Sequence, residues 1–138
     1  MDEFSLLLLE KDLYHDVQVS WIYPEVSTED QERLIKASAS RETLIGSIHE
    51  FYVIKHDDII YSCYRLPVDQ IKHELAVQEA TLVCISSKSH PKRDESILKE
   101  LLQSYLSSKG NATAMLQLTL KMIATGKCGD VDLKSIVE

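Results

Sequence analysis

Glycine is scarce in this chain. Only Gly46, Gly110, Gly126 and Gly129 occur in 138 residues, and none falls in GxGxxG or GxxxxGK[ST] spacing. No phosphate-cradling loop can be built, so the chain does not read as a GTPase or other nucleotide-binding enzyme. Cysteine is equally sparse: Cys63, Cys84 and Cys128 are an odd set without CxxC spacing, which points to reduced thiols in a cytosolic protein. A basic excess is missing too. The net charge of −7 argues against nucleic acid as the main partner and against nonspecific adhesion to anionic lipid. Long apolar runs are also lacking. "MDEFSLLLLEKD" sets four leucines behind acidic residues, without the positive start or apolar length of a signal peptide. No stretch reaches the roughly 20 residues of a membrane span. Direct membrane insertion is not expected, and a membrane location would be borrowed from a partner.

What is present reads as one folded domain over residues 1–138. Hydrophobic residues make up 44% and charged residues 27%, which places the chain among globular proteins rather than disordered ones. At this length about 65–70% of the unfolded surface can be buried around one core.

Strand signals dominate the first two thirds. "SLLLLEK" is apolar on successive positions and too short for a stable helix, so it reads as a strand covered on both faces. "ATLVCIS", residues 80–86, reads the same way. In "DVQVSWIYP", Val17, Val19, Trp21 and Tyr23 recur at period two, and Pro24 ends the strand by removing the next backbone donor. "IHEFYVIKH" and "DIIYSCYRL" form a hairpin around Lys55-His56-Asp57-Asp58. The two doubly apolar strands are expected to be adjacent and central, with Val17–Tyr23 and Ile48–Lys55 at the edges.

Helix signals follow Pro24 and Pro91. Thr28 is placed as the cap of a helix running to about Ala37, with Gln31 reaching back as in a capping box and Glu29, Asp30 and Glu32 near the positive end. After Pro91, Ile97, Leu98, Leu101, Leu102, Tyr105 and Leu106 share one stripe, opposite Lys99, Glu100, Gln103 and Ser107. Lys109-Gly110-Asn111 marks a tight connection to a final helix, about Ala112 to Thr125, that stops at Gly126. That helix carries only Lys121 as a charge, so it is expected to be the more buried of the two, with Leu116 as a core position. The expected fold class is α/β in the α+β sense: a five-stranded, mainly antiparallel sheet with one helix on one face and two C-terminal helices on the other. Pro24 then lets the chain leave one sheet edge and cross a face as a helix.

This order resembles the longin arrangement, and particular stretches resemble the upstream lobe of the DENN domain family. "LLEKDLYHDVQVSWIYP" looks like the family's opening hairpin, in which a tryptophan-bearing second strand ends in Tyr-Pro. "FYVIKHDDIIYSCYRLP" resembles its central hairpin, and "YLSSKGNATAMLQLTLKMIATGKC" its paired helices. The resemblance implies a role with a Rab-family small GTPase on endosomal membranes, as the GTPase-binding lobe of a guanine-nucleotide exchange factor. Other subunits of an endosomal trafficking complex are further implied partners. DENN modules grip the GTPase between two lobes and loosen nucleotide without covalent chemistry, so the lobe alone is expected to be noncatalytic and to need no cofactor. Because a full module continues into a central lobe, the chain reads as a piece of a longer one. The alternative is a longin-fold scaffold or adaptor subunit without exchange activity.

Candidate chemistry is thin. His49, His56 and Cys63 are evenly spaced, but an odd separation puts strand residues on opposite faces, and metal ligands must converge. Cys63 and Cys84 fall in strands, where a free thiol is usually a small hydrophobe. In "SSKSHPKRDES", Lys88, His90, Lys92 and Arg93 gather in what reads as a solvated loop. The best candidate for partner binding is the helix after Pro24. Leu34 and Ile35 form a narrow apolar face there, leaving Glu29, Glu32, Arg33 and Lys36 outward.

Overall fold

A computed structural model describes residues 4–44, 46, 48–72, 74–87, 91–128 and 131–132. The elements run β1 (Ser5–Asp12), β2 (Val17–Tyr23), α1 (Thr28–Ser40), β3 (Glu50–His56), β4 (Ile59–Lys72), β5 (Leu75–Ser86), α2 (Pro91–Ser107), α3 (Ala112–Thr125) and two short strands, β6 (Lys127–Cys128) and β7 (Val131–Asp132). The first five strands form one sheet in the order β2-β1-β5-β4-β3, with every neighbouring pair antiparallel. The doubly apolar strands β1 and β5 are adjacent and internal, and β2 and β3 lie at the edges, as their residue patterns require.

The reason is visible in β1. Leu6, Leu7, Leu8 and Leu9 are each between 0% and 2% exposed, which a strand achieves only when both faces are covered. Leu6 and Leu8 join Tyr64, Leu66, Leu82 and the apolar stripe of α2 on one face. Leu7 and Leu9 join Tyr61, Cys63, Val83 and Leu34 of α1 on the other. The arrangement is thus one helix against one face and two against the other. The chain reaches it by leaving the β2 edge at Pro24, crossing as α1 and re-entering at the β3 edge.

Local signals account for most boundaries. After α2, Lys109 and Gly110 both take positive φ, with the Gly110 amide donating to the Tyr105 carbonyl at 2.9 Å and the Lys109 amide to that of Leu106 at 3.0 Å, the pairing of a Schellman stop. Gly110 also lies so close to the Gln70 side chain that an added Cβ would collide with it. The Asn111 side chain caps α3 by accepting from the Thr113 amide at 2.9 Å, and Gly126 ends it with φ 71°. At α1 the cap is Ser27 rather than Thr28: its Oγ accepts from the Asp30 amide. Gln31 reaches back to the Val26 carbonyl at 2.9 Å. Two adjacent hydroxyl residues compete for that position, and the extended backbone of Ser27 decides it.

Two further expectations are corrected. The strands β4 and β5 extend well beyond Leu66 and before Ala80, pairing Gln70 with Val77, Ile71 with Ala76 and Lys72 with Leu75 after a register shift that begins at Pro67. A bulge tolerates the missing amide of proline, and the polar residues beyond it conceal the period-two pattern. The final helix is also the less buried of the pair. In α3 Met115, Thr119 and Met122 are buried and Leu116 is only partly so, whereas α2 buries Ile97, Leu98, Leu101, Leu102 and Tyr105. Low charge reports what α3 lacks, not what covers it, and it lies over α2 with its far side open. Among the described residues no helix is long and apolar enough to cross a membrane.

This layering predicts unequal costs along α3. Met122→Ala, at a fully buried position, is expected to lose about 2–5 kcal/mol in urea melts. Leu120→Ala, at a side chain 48% exposed, is expected to lose less than about 0.5 kcal/mol. Equal losses would contradict the placement of the helix.

Candidate functional site

The α1 helix begins with the Ser27 cap and places Glu29 and Asp30 in its first turn, where carboxylates suit the positive helix end. Glu29, Glu32 and Lys36 are exposed, as their spacing suggests. Arg33 is not free in the same way. Its Nη1 donates to the Tyr61 hydroxyl at 2.7 Å and lies 3.1 Å from Asp30 Oδ1. Tyr61, a fully buried residue of β4, in turn donates to Asp30 Oδ1 at 2.5 Å. The hydrogen bond to Tyr61 is the foremost influence holding the guanidinium charged. Arg33 thus pins the helix to the sheet, while Glu29, Glu32 and Lys36 remain as a mixed-charge outer face.

A second polar construction lies beneath the far end of α1. On the face that α1 covers, Lys11 of β1 sits 3.8 Å from Glu79 of β5, Glu79 3.1 Å from Arg65 of β4, Arg65 2.8 Å from Glu50 of β3, and Glu50 2.9 Å from Arg41. The charges alternate in sign across the sheet. Lys11, Glu79 and Arg65 are buried, so each depends on its neighbours for compensation that water would otherwise supply. Burial pulls the Lys11 ammonium below its usual range and Glu79 opposes this, while Arg65 and Arg41 push it further down. At Glu50 burial acts upward, but hydrogen bonding to Arg41 and the charges of Arg65 and Arg41 hold the carboxyl below its ordinary value.

The backbone after α1 closes over this ladder. Lys11 Nζ donates to the Arg41 carbonyl at 3.2 Å, Arg65 Nη1 to the Glu42 carbonyl at 2.9 Å, and the Leu44 amide to Glu79 Oε1 at 2.5 Å. The Arg41 guanidinium also stacks over the Tyr52 ring at 3.5 Å, a cation–π contact. Sequence reasoning missed this group. Its available signal was a charge at the end of each apolar strand, Lys11 after four leucines and Glu79 before "ATLVCIS", but pairings across four strands are not local information.

The remaining candidates stay separate. His49 Nδ1 meets the Tyr64 hydroxyl at 2.8 Å, His56 lies 3.5 Å from Asp57 in the turn, and Cys63 is buried under α1. Among the described residues no group of three or more His, Cys, Asp or Glu side chains could hold a metal ion. Lys88 and His90 lie outside the described residues, Lys92 is exposed, and Arg93 lies 3.5 Å from buried Asp94. Glu10, Asp12, Asp16, Gln18 and Ser20 line a shallow cleft with Leu75 and Val77. Two of its three acidic members are engaged in the fold: Glu10 accepts from Ser20 and Tyr105, and Asp12 from the amides of Tyr14 and Asp16. Burial pushes the Cys63 and Cys84 thiols up to about 12, which removes thiolate chemistry at neutral pH. No family model and no curated protein matches the chain.

Two outcomes follow from these charges. Glu79→Gln removes the shared counter-ion of Lys11 and Arg65 and is expected to cost about 3–5 kcal/mol in urea unfolding; a loss below about 1 kcal/mol would show that the ladder is not holding the sheet. The thiols bear on alkaline stability. Unfolded cysteine ionises near pH 9 while Cys63 and Cys84 keep their protons to about 12, so the folded state binds more protons in that window and stability falls as pH rises. Each thiol contributes a slope of about 1.4 kcal/mol per pH unit. Cys63→Ala is therefore expected to flatten the loss of stability between pH 9 and 12, and an unchanged slope would contradict its burial.

Proposed function

We propose that this chain is a longin-like, DENN-type protein-binding lobe that engages a Rab-family small GTPase in endosomal membrane trafficking. It is recruited peripherally through its partners and is noncatalytic by itself. The observation that carries the reading is the sheet order β2-β1-β5-β4-β3 with one helix on one face and two on the other, the architecture implied by the sequence resemblance. The outer face of α1 supplies the contact surface: Glu29, Glu32 and Lys36 are exposed on an element held in register from beneath. Accelerating nucleotide release requires binding the nucleotide-free conformation better than the loaded one, not affinity alone. A single lobe gripping one side of a GTPase therefore binds weakly and does not speed release, and exchange depends on a second lobe.

A second reading, assembly into an endosomal complex without exchange, is favoured by the outer side of α3, where Leu120 is 48% and Ile123 44% exposed. Fluorescent-nucleotide release from a panel of Rab proteins separates the two. Under the first reading, residues 1–138 leave release unaccelerated, a two-lobe protein containing them accelerates it, and Glu32→Lys with Lys36→Glu weakens that activity at unchanged melting temperature. Arg33 is unsuitable for this test, because reversing it would set a carboxylate against Asp30 and lower stability. Rapid exchange by residues 1–138 alone would overturn the two-lobe mechanism. A two-lobe protein that binds no Rab would favour assembly.

A further inference from the structure

The two helical layers are attached to the sheet by different forces. On one face α2 buries Ile97, Leu98, Leu101, Leu102 and Tyr105. On the other, α1 fully buries only Leu34 and Ser38, with Ile35 partly buried beside them, and the rest of its anchorage is polar. At the front, Asp30 and Arg33 meet the Tyr61 hydroxyl. At the rear, the carbonyls of Arg41 and Glu42 accept from Lys11 and Arg65, and Arg41 pairs with Glu50. Apolar burial has no substitute in water, whereas each of these carbonyls, carboxylates and guanidinium groups can exchange its protein partner for a water molecule. A segment with few buried apolar contacts and many replaceable polar ones is the kind that opens below the cost of global unfolding.

We infer that Thr28–Leu44, α1 with the irregular segment after it, is a lid that lifts from the sheet as a unit while the five strands, α2 and α3 stay folded. The charges beneath permit this. When the lid leaves, Lys11 and Arg65 lose two backbone acceptors, but both keep Glu79, which belongs to the sheet. No buried charge is left without its counter-ion. The exposed link Pro24–Glu25 between β2 and α1 supplies one hinge. Lifting uncovers Leu7, Leu9, Cys63 and Val83, an apolar surface that the closed form hides. The lid's motion is a property of the isolated chain and is measured without a GTPase.

Cys63 is a built-in reporter, because it is 1% exposed and lies on the face that the lid covers. The intact chain is pulsed with iodoacetamide across a urea series, and alkylation of Cys63, Cys84 and Cys128 is read separately by peptide mass spectrometry beside global unfolding followed by circular dichroism. Local lifting predicts Cys63 labelling that is nearly independent of urea well below the unfolding transition and faster than global unfolding permits. Tyr61→Phe keeps the buried ring and deletes the front pin, and it is expected to speed low-urea labelling of Cys63 by at least about tenfold, because both the bond from Arg33 and the bond to Asp30 are lost. Leu102→Ala, in the opposite layer, is expected to lower global stability without changing low-urea labelling. Labelling of Cys63 with the full urea dependence of global unfolding would overturn the lid. So would low-urea labelling left unchanged by Tyr61→Phe although that variant's global stability falls, or an equal acceleration by Leu102→Ala.

Discussion

A β1 strand whose successive leucines are all excluded from water is the constraint on which the rest depends. Leu6 and Leu8 demand cover on one side and Leu7 and Leu9 on the other. An antiparallel sheet can leave a face to solvent; this one cannot. The strand therefore sits inside the sheet beside β5, whose Leu82 and Val83 make the same demand. The chain must then send a helix over each side. The crossing from the β2 edge to the β3 edge follows from that requirement, and so does the helical pair at the end.

The two faces meet the demand unequally. The α2 stripe fills its side with apolar volume, and α3 completes that layer from outside. On the α1 side the apolar set runs out toward the rim, where Lys11, Glu79, Arg65 and Glu50 continue the rows begun by Leu9, Val83, Cys63 and Tyr52. Opposite charges on neighbouring strands stand in for hydrophobic contact there, and the backbone after α1 ties itself to them. One side of the sheet is consequently a conventional core. The other is a pinned helix whose outer face carries Glu29, Glu32 and Lys36.

Much of this is legible in the sequence. Doubly apolar strands announce internal positions, a 3.6-residue stripe announces α2, and Lys109-Gly110-Asn111 and Gly126 mark their helix ends by backbone chemistry that is local in sequence. What is not legible is non-local or degenerate. Arg33 reads as outward on a helical wheel, yet a hydroxyl 28 residues away captures it. Ser27 and Thr28 are equivalent cap candidates until the backbone chooses. Polar residues hide the extension of β4 and β5, and the low charge of α3 says nothing about which layer shields it. The ladder is the clearest case, since each charge looks like a strand terminus until four strands are aligned.

The claim that the two layers are held by different forces is tested most directly by native-state amide hydrogen exchange in increasing sub-denaturing urea. The slowest amides of β5 and α2 should exchange only through global unfolding, with its full urea dependence. Those of α1 should exchange by a cheaper opening with little urea dependence. If the slowest α1 amides instead coincide with those of β5 at every urea concentration, α1 is as firmly built into the core as α2, and the division between an apolar and a pinned layer is wrong.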